Sequence, residues 1–379
     1  MRIVKTDCEY FIFLWTAYKR KVRIGLAAAL TEEEVFVMLG LLPGIGCLDR
    51  NDSGGGIFMG QNKDAQVNLR KVAMIGCGFV GSASAFSLMQ SGLFSEMVLI
   101  DADQERAEGE AMDISHGVPF AREMKIYAGN YDDITDAAII IITAGANQKP
   151  EETRLDLVHK NVGIFKSIIP EIAKRNCQGI LLVVSNPVDI LTYTALKLSG
   201  FTENRVIGSG TVLDTARLKY ELGKHLSVDS KSVHAFIIGE HGDSEIAAFS
   251  SANVSGIALS EFCEMRGHYA HDENSRQIAE RVKNSAYDII KKKRATYYGI
   301  AMAVKRICEV IIRDEKSILP VSSMMHGAYG LEDVVLSMPA VVGKHGVETQ
   351  VPIPLDKEEI EKLQKSAETL KEIIRDVEW

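Results

Sequence analysis

The chain has 379 residues, of which 46% are hydrophobic, and its formal net charge at pH 7 is −8. This length and hydrophobic content are enough for a large core, and they predict two domains. The negative charge argues against a nucleic acid as the partner of the whole molecule. No stretch of the sequence offers the ~20 consecutive apolar residues that a membrane span needs.

The six cysteines lie far apart, and none has the paired spacing of a zinc site or of a disulfide-rich secreted domain. Thiols stay reduced in the cytoplasm, so this pattern predicts a cytoplasmic protein with isolated cysteines and no metal site. The cysteines are Cys8, Cys47, Cys77, Cys177, Cys263 and Cys308.

Residues 1–60 differ from the rest of the sequence. Their apolar segment 11–15 is too short to span a membrane, and basic residues follow it, whereas those of a signal peptide come first. The run 51–56, Asn-Asp-Ser-Gly-Gly-Gly, is typical of a flexible linker. We expect residues 1–68 to be a poorly ordered extension and linker, arising from an upstream start codon with Met59 as the initiator. A cleaved targeting segment is the alternative.

Two short apolar runs, 71–75 and 97–100, then predict buried strands. Between them the sequence G-x-G-x-x-G of residues 76–81 leads into a helical stretch, 82–91. An acid, Asp101, follows the second strand 20 residues after the last glycine (101 minus 81). A bare G-x-G-x-x-G often makes only a turn, but this order of strand, glycine loop, helix and spaced acid predicts a dinucleotide-binding unit.

Each part of this unit has a mechanical reason. Gly76 allows the tight turn, Gly78 lets the backbone approach a pyrophosphate, and Gly81 lets the helix and the strand pack closely. Phe79 and Val80 lie in the same cofactor-binding loop, where the helix N-terminus offers unpaired N–H groups to phosphates. The acid after the second strand suits a ribose diol and repels a 2′-phosphate, so NAD is favoured over NADP.

Two further apolar runs, 137–143 and 179–185, predict strands that are buried on both faces, as in a parallel sheet. Helical stretches alternate with them. The sequence therefore predicts an α/β protein, with an NAD-binding Rossmann domain, a doubly wound parallel sheet, over residues 69–212. A C-terminal α+β domain for substrate binding and catalysis is expected over residues 213–379.

Polar residues follow the ends of these strands. The segment 143–154 carries a proline and several polar residues before a predicted helix, 155–169, and is a candidate lid. A solvated connector is the alternative interpretation. Asn186 stands at the next strand end before a proline, where its amide either faces a ligand or only shapes the turn.

An aspartate, an arginine and a histidine later in the chain are candidate site residues. Asp214 and Arg217 are three residues apart, so on a helix they share a face. Such a pair is usually a surface salt bridge, but apolar neighbours favour a special role here. His241 lies between glycines after the apolar run 233–238, which predicts a buried strand. A histidine in this position is able to exchange a proton near neutral pH, although most isolated histidines are structural or solvated.

Together these residues resemble the L-lactate dehydrogenase family, within the lactate and malate dehydrogenase superfamily, and most of all its bacterial members. The resemblance extends from about residue 70 to the C-terminus. It is carried by segments 76–81 (Gly-Cys-Gly-Phe-Val-Gly), 109–113 (Gly-Glu-Ala-Met-Asp), 146–150 (Ala-Asn-Gln-Lys-Pro), 186–189 (Asn-Pro-Val-Asp), 213–217 (Leu-Asp-Thr-Ala-Arg), 239–243 (Gly-Glu-His-Gly-Asp) and 296–300 (Thr-Tyr-Tyr-Gly-Ile).

The resemblance implies a reversible reduction of pyruvate to (S)-lactate with NADH in fermentative glycolysis. His241 donates the proton to the carbonyl oxygen and takes it back in the reverse direction. Asp214 orients the imidazole and stabilises its charged form. Arg217 binds the substrate carboxylate through two hydrogen bonds, and Arg154 polarises the carbonyl when the loop closes.

The remaining contacts implied by the resemblance involve both substrate and cofactor. Asn186 hydrogen-bonds the reacting oxygen and also lies against the cofactor. Thr296 lines the substrate pocket, and Ile300 offers an apolar surface to the nicotinamide. Three residues at the strand end before the candidate lid also contact the cofactor: Thr143, Ala144 and Gly145.

Substrate choice is expected to depend on Gln148. In this family the position faces the third carbon of the substrate, and a neutral glutamine suits a methyl group, whereas malate dehydrogenases carry an arginine there. A dehydrogenase for malate or another 2-hydroxy acid is the nearest alternative. A non-catalytic dinucleotide-binding protein on the same fold is the alternative from a different class.

The resemblance also implies a homotetramer and raises the question of activation by fructose 1,6-bisphosphate. Activated bacterial relatives carry an arginine and a histidine that bind the phosphates across a subunit interface. His234 matches the histidine, but Lys219 stands in place of the arginine and lacks its planar fork. Weak or absent activation is therefore expected at this possible allosteric site.

In the stretch 273–292, one helical face carries Ile278, Val282, Ala286, Ile289 and Ile290, so this helix is expected to pack inward. The stretch 357–376 repeats the pattern, and both are expected to be core or interface helices rather than sites. Asp356 and Glu359 are expected to cap the second helix.

Overall fold

The computed structural model describes residues 67–146 and 153–377. The expected N-terminal extension, its linker and Met59 lie outside this part of the chain, apart from the last two residues of the expected linker. Within it, every helix is too short or too polar to cross a membrane. The cysteines that the structure describes are free and buried.

The first half of the described chain alternates strands with helices, as the alternating apolar and amphipathic runs predict. The strands are β1 (Asn68–Ile75), β2 (Glu96–Ile100), β3 (Lys125–Ala128), β4 (Ala137–Ile142), β5 (Ile180–Val183) and β6 (Val206–Gly208). The helices are α1 (Phe79–Ser91), α2 (Gln104–His116), α3 (Arg154–Ala173) and α4 (Val188–Ser199).

These six strands are parallel and lie in the order β3-β2-β1-β4-β5-β6. This is the order of the doubly wound dinucleotide-binding sheet, in which ligands lie at the carboxyl ends of the strands. Strand β4 shows why its sequence is uniformly apolar. Ile140 and Ile142 belong to the core on one face of the sheet, whereas Ile139 and Ile141 belong to the core on the other.

The second half of the described chain contains antiparallel strands and five further α-helices. The helices are α5 (Val212–Leu226), α6 (Leu259–Met265), α7 (His271–Lys293), α8 (Tyr298–Ile312) and α9 (Lys357–Arg375). The strands are β7 (Val233–His234), β8 (Ile237–Ile238), β9 (Ile246–Ala247), β10 (Asn253–Val254), β11 (Ile257–Ala258), β12 (Ser317–His326), β13 (Glu332–Gly343) and β14 (Gly346–Gln350).

Strands from the second half extend the sheet of the first. Strand β12 runs antiparallel to β6, through the pair Ser322 and Gly208, and continues through β13 to β14. The described residues therefore form one nine-stranded sheet with a parallel part and an antiparallel edge. The other short strands form two small antiparallel sheets, β11-β10-β7 and β8-β9.

The apolar run 233–238 is not the single strand that its sequence predicts. It divides into β7 and β8, which belong to different sheets: Val233 pairs with Val254, whereas Ile237 pairs with Ala247. The division is stabilised locally, because the backbone N–H of Ile237 donates a hydrogen bond of 2.8 Å to the Thr215 hydroxyl. Continuous hydrophobicity indicates burial but not which partner strand each residue has.

The two amphipathic helices differ in how far they are buried. Helix α9 has the expected cap, since the Asp356 carboxylate accepts the N–H of Glu359 and the Glu359 carboxylate accepts the N–H of Asp356. Helix α7 packs inward through Ile278 and Val282, but Ile290, expected on the same inward face, is 45% exposed. Ala286 and Ile289 are partly buried, so on the second half of that face only Ile290 is exposed.

Candidate active site

The glycine loop between β1 and α1 has the geometry that its sequence predicts, with a helix that begins earlier than expected, at Phe79. Gly76 has φ +102°, and a Cβ there would lie 2.5 Å from the backbone nitrogen of Ala144. A Cβ on Gly81 would lie 1.9 Å from the Gly76 carbonyl oxygen. A Cβ on Gly78 would meet nothing within 4 Å. Two glycines thus serve packing, and Gly78 faces open space, as the approach of a pyrophosphate to the backbone requires.

Asp101 lies beside this loop at the carboxyl end of β2. Its carboxylate accepts a hydrogen bond of 2.5 Å from the backbone N–H of Cys77 and one of 3.0 Å from that of Asp103. The residue is only partly buried, and a carboxylate at this position suits a ribose diol. These features fit an NAD-type cofactor.

The segment after β4 is tied to the same loop. The Thr143 hydroxyl donates a hydrogen bond of 2.7 Å to the Gly76 carbonyl, and the N–H of Ala144 donates one of 3.0 Å to the Ile75 carbonyl. Gly145 lies next in the chain, and a Cβ there would contact Asn161 at 3.5 Å. Thr143 and Ala144 are therefore held against the glycine loop, and Gly145 lies beside Asn161.

Asn161 on α3 is a residue that the sequence reasoning missed. It is 1% exposed, and its side-chain oxygen accepts a hydrogen bond of 2.7 Å from the N–H of Ala146. Its amide nitrogen donates one of 2.7 Å to the carbonyl of Asn186, whose own side chain is exposed. Asn161 thus joins the loop after β4 to the loop after β5. A buried amide among Val158, Val162 and other apolar residues of α3 is the signal that marks it.

Thr296 and Ile300 flank the start of α8, and both are partly buried. Ile300 packs on the same hydrophobic cluster as Val80 of the glycine loop. Phe79 is 63% exposed and stacks on Tyr297 with ring centroids 5.5 Å apart. The predicted nicotinamide-side residues and the cofactor loop therefore approach each other.

His241, Asp214 and Arg217 form one bonded group. The His241 Nδ1 and Asp214 Oδ2 atoms lie 2.6 Å apart, and an Arg217 guanidinium nitrogen lies 2.7 Å from Asp214 Oδ1. The Asp214 carboxylate is almost fully buried in the first turn of α5, whereas the His241 and Arg217 side chains remain partly exposed. A buried carboxylate between two cationic groups is a stable arrangement only if both partners stay in place.

The pKa values of His241 and Asp214 are shifted in opposite directions from their usual values. Burial acts to lower the pKa of His241, but the bonded Asp214 carboxylate outweighs it and raises that pKa to about 9. Burial acts to raise the pKa of Asp214, yet His241 and Arg217 hold it below its usual range. The charged imidazolium is thus the stable form at neutral pH.

The backbone of His241 is fixed by Asp189 on α4. One Asp189 oxygen accepts a hydrogen bond of 2.7 Å from the His241 N–H, and the other accepts one of 2.5 Å from the Ser322 hydroxyl. On the opposite side, the buried Ser366 of α9 lies 3.1 Å from the N–H of Glu240. Neither contact was predictable from local sequence, because Asp189 and Ser366 reach the His241 turn from distant helices.

Two predicted substrate residues are not placed. Gln148 lies outside the described residues, and so does the side chain of Arg154. The backbone of Arg154 begins α3, where the Thr153 hydroxyl accepts the N–H of Asp156 at 3.1 Å. The possible allosteric pair is described: Lys219 is half-buried on α5, where burial lowers its pKa, and His234 is exposed in β7.

Comparison with protein families identifies the two halves of the chain. The lactate/malate dehydrogenase NAD-binding domain matches residues 70–208, and the alpha/beta C-terminal domain of the same enzymes matches residues 211–378. The chain belongs to the lactate/malate dehydrogenase family. The predicted family, fold and cofactor are confirmed, and the chain is an oxidoreductase that uses NAD.

Several relatives are similar over nearly their whole length. An L-lactate dehydrogenase of Acetivibrio thermocellus is 56% identical over 308 residues, which are 81% of this chain and 97% of the relative. L-lactate dehydrogenase 1 of Clostridium acetobutylicum is 53% identical over 302 residues, 80% of this chain and 96% of the relative.

Solved structures agree with these relatives. The minor L-lactate dehydrogenase from Enterococcus mundtii in its ligand-bound form has a TM-score of 0.79 and 42% identity, with 82% of this chain and 98% of that chain covered. A lactate dehydrogenase from a Medee basin deep-sea metagenome library has a TM-score of 0.78 and 45% identity, over 81% of this chain and 98% of that chain.

Proposed function

We propose that the chain is an L-lactate dehydrogenase, which interconverts pyruvate and (S)-lactate with His241 as the proton donor and acceptor. The observation that carries this proposal is the 2.6 Å bond between His241 Nδ1 and the buried Asp214 carboxylate. It is supported by the relatives that carry this activity in their names at 50–56% identity.

The bond at Nδ1 leaves Nε2 as the nitrogen that exchanges a proton with substrate. In the reductive direction, the Nε2–H bond of His241 breaks and its proton forms the O–H bond of lactate. In the oxidative direction, neutral Nε2 takes the hydroxyl proton, and Asp214 stabilises the imidazolium that forms. When bound, NAD supplies the hydride acceptor for lactate oxidation, and its reduced form supplies the hydride for pyruvate reduction.

The substrate carboxylate is assigned to Arg217, whose guanidinium is partly exposed beside the pair. We assign the reacting oxygen to Asn186 and, through the closing loop, to Arg154. Thr296 is assigned to the pocket wall, and Gln148 to the methyl group of pyruvate. These assignments rest on the family resemblance and on the positions of the described residues among them.

The proposal also covers the location, assembly, regulation and domain division of the protein. We propose a cytoplasmic homotetramer that acts in fermentative glycolysis and responds weakly or not at all to fructose 1,6-bisphosphate. We also propose a division into an N-terminal extension, 1–68, a cofactor domain, 69–212, and a catalytic domain, 213–379. The point between the two family matches, after residue 208 and before residue 211, supports the second boundary.

A steady-state substrate panel tests the proposal. Turnover of NADH is measured with pyruvate and with oxaloacetate, each with and without fructose 1,6-bisphosphate. We expect kcat/KM to be higher for pyruvate. Preference for oxaloacetate would identify a malate-type enzyme. Binding of NADH without turnover of either acid would identify a non-catalytic dinucleotide-binding protein.

A further inference from the structure

Glu245 lies close to the catalytic pair but has no part in the mechanism above. The chain turns back after His241, since the N–H of Glu245 donates a hydrogen bond of 3.2 Å to the Gly242 carbonyl. As a result, one nitrogen or oxygen atom each of His241, Asp214 and Glu245 lies within 4.8 Å of the other two. Two carboxylates thus lie beside one imidazole.

The charges around Glu245 come from three directions. Asp214 and Arg217 face it from α5, His241 from its own loop and Lys283 from α7. Within the described residues, Arg217 forms its salt bridge with Asp214, and no salt bridge includes the Glu245 carboxylate. Its charge is therefore not cancelled by a bonded cation.

Glu245 also faces a cavity of about 910 Å³ between α7, the start of α9 and the β9 region. Lys283 lines the same cavity, and the other charged groups on its wall are His271, Asp272, Arg276, Glu280, Asp356, Glu358, Glu359 and Lys362. Asp189 of α4 is a further charged group near His241, since its carboxylate accepts the His241 N–H at 2.7 Å.

We propose that Glu245 is a positioning residue that acts through His241: its carboxylate adds a second negative charge beside the imidazolium and so extends pyruvate reduction to higher pH. This inference rests on the proposed lactate dehydrogenase function. It assigns to Glu245 a role in setting the pH range of the reaction and no contact with substrate.

The order of proton loss supports this role. Burial, together with the neighbouring Asp214 carboxylate, raises the pKa of Glu245 to about 8. The pKa of His241 is about 9, and Glu245 is among the groups that raise it. The Glu245 charge is therefore present over the pH range in which the imidazolium loses its proton.

The test is the pH dependence of kcat/KM in both directions for the full-length wild type and Glu245→Gln. Pyruvate reduction needs protonated His241, so its kcat/KM falls as the pH rises through the pKa of His241. Lactate oxidation needs neutral His241, so its kcat/KM rises there. These two limbs of the pH profiles therefore report the same group. We expect both limbs of the Gln variant to move to lower pH together, by about 0.3 to 1 pH unit, because Asp214 and Asp189 contribute more than Glu245 to the raised pKa of His241. Well below both limbs, kcat for pyruvate is expected to stay within about threefold of the wild type.

Two further variants separate charge from shape. Asp243→Asn removes a charge from the same turn, but its exposed carboxylate accepts a hydrogen bond from Tyr287 at 2.8 Å, and we expect unchanged limbs. Glu245→Asp keeps the charge, and we expect a smaller shift than with glutamine. Circular dichroism spectra and melting temperatures of all variants establish that they are folded.

The inference is overturned if the limbs of Glu245→Gln match those of the wild type, or if Glu245→Asp moves them as far as glutamine does. An NMR titration of the His241 ring in the cofactor-free protein gives a second readout that needs no turnover. If the wild type fails to reduce pyruvate while the ring still titrates lower in Glu245→Gln, the proposed function fails and the charge effect stands.

Discussion

At the scale of single residues, Asp214 holds the catalytic group together. Its two carboxylate oxygens bind His241 at 2.6 Å and Arg217 at 2.7 Å, and the carboxylate is almost wholly buried. The same side chain therefore holds both the residue proposed as the proton donor and the residue assigned to the substrate carboxylate. Its removal leaves two partly buried cationic groups without their partner.

Asp214→Asn is expected to lower kcat/KM for pyruvate by about 10²- to 10⁴-fold, because an amide neither stabilises the imidazolium nor fixes its tautomer. The pKa of His241 is raised to about 9 in the wild type, so pyruvate reduction is expected to be level below that pH and to fall above it. In the variant this limb moves to lower pH. Steady-state kinetics across the pH range measure both effects. Glu221→Gln, on the same helix, is the control and is expected to change neither.

Gln148→Arg tests the residue assigned to substrate choice. An arginine is able to pair with the second carboxylate of oxaloacetate, so we expect the ratio of kcat/KM for oxaloacetate over pyruvate to rise by about tenfold or more. Gln148→Lys supplies the charge without the planar fork and is the matched control. If the two acids keep their original order and ratio in the arginine variant, Gln148 does not determine substrate choice.

Some residues of the site were predictable from the sequence and others were not. Asp214 and Arg217 are three apart on a helix, and Gly76 to Gly81 have fixed spacing, so local patterns were sufficient. Asn161 and Glu245 lie close to residues that are distant in the sequence, and only the folded chain brings them together. A polar residue in an apolar helix or a glutamate after a histidine has many meanings until its neighbours are known.

At the scale of elements, the glycine loop separates packing from ligand binding. Gly81→Ala brings a Cβ to 1.9 Å from the Gly76 carbonyl, whereas Gly78→Ala meets nothing within 4 Å. Gly78 has φ −71° and ψ −175°, an extended conformation that alanine adopts freely. The two substitutions are chemically identical and are expected to have different effects.

We expect Gly81→Ala to lose about 1–3 kcal/mol of unfolding free energy, because an overpacked helix and strand must move apart. Gly78→Ala is expected to keep the wild-type melting temperature but to raise the Kd for NADH by about tenfold, since the new methyl occupies space that fits a pyrophosphate. Thermal unfolding and NADH titration distinguish them. Equal loss of stability in both variants would show that Gly78 also serves packing.

The fold itself was largely predictable because its signals are local. Strand β4 is apolar throughout and buried on both faces, and the capping box of α9 is visible at Asp356 and Glu359. The prediction of a single strand over residues 233–238 was wrong, because strands of two different sheets pair with this segment. The exposed Ile290 on α7 is a second example. The spacing of apolar residues predicts which face of a helix is apolar, but not which element packs against that face.

At the scale of the whole molecule, we propose an assembly of four chains, and Ile290 of α7 is an apolar side chain that stays 45% exposed in the single chain. The possible effector pair belongs to this scale as well, because the family resemblance implies a sugar-phosphate site between subunits. Lys219 lies half-buried on α5, and His234 is exposed on β7.

We expect fructose 1,6-bisphosphate to change the KM for pyruvate by less than about tenfold, because lysine binds phosphate as a point charge without the paired hydrogen bonds of arginine. Lys219→Arg is expected to increase the response. Pyruvate saturation curves with and without the effector measure it, and sedimentation equilibrium on the same samples gives the number of chains. A tenfold or larger fall in the wild-type KM would show that lysine suffices.

The most direct measurement is the initial rate of NADH oxidation with pyruvate, for the wild type and for His241→Gln at equal NADH saturation. We expect the wild type to turn over pyruvate and the variant to lose about 10²- to 10⁴-fold in kcat while its Kd for NADH is unchanged. A variant that stays within about tenfold of the wild type would contradict the assignment of His241 as the proton donor.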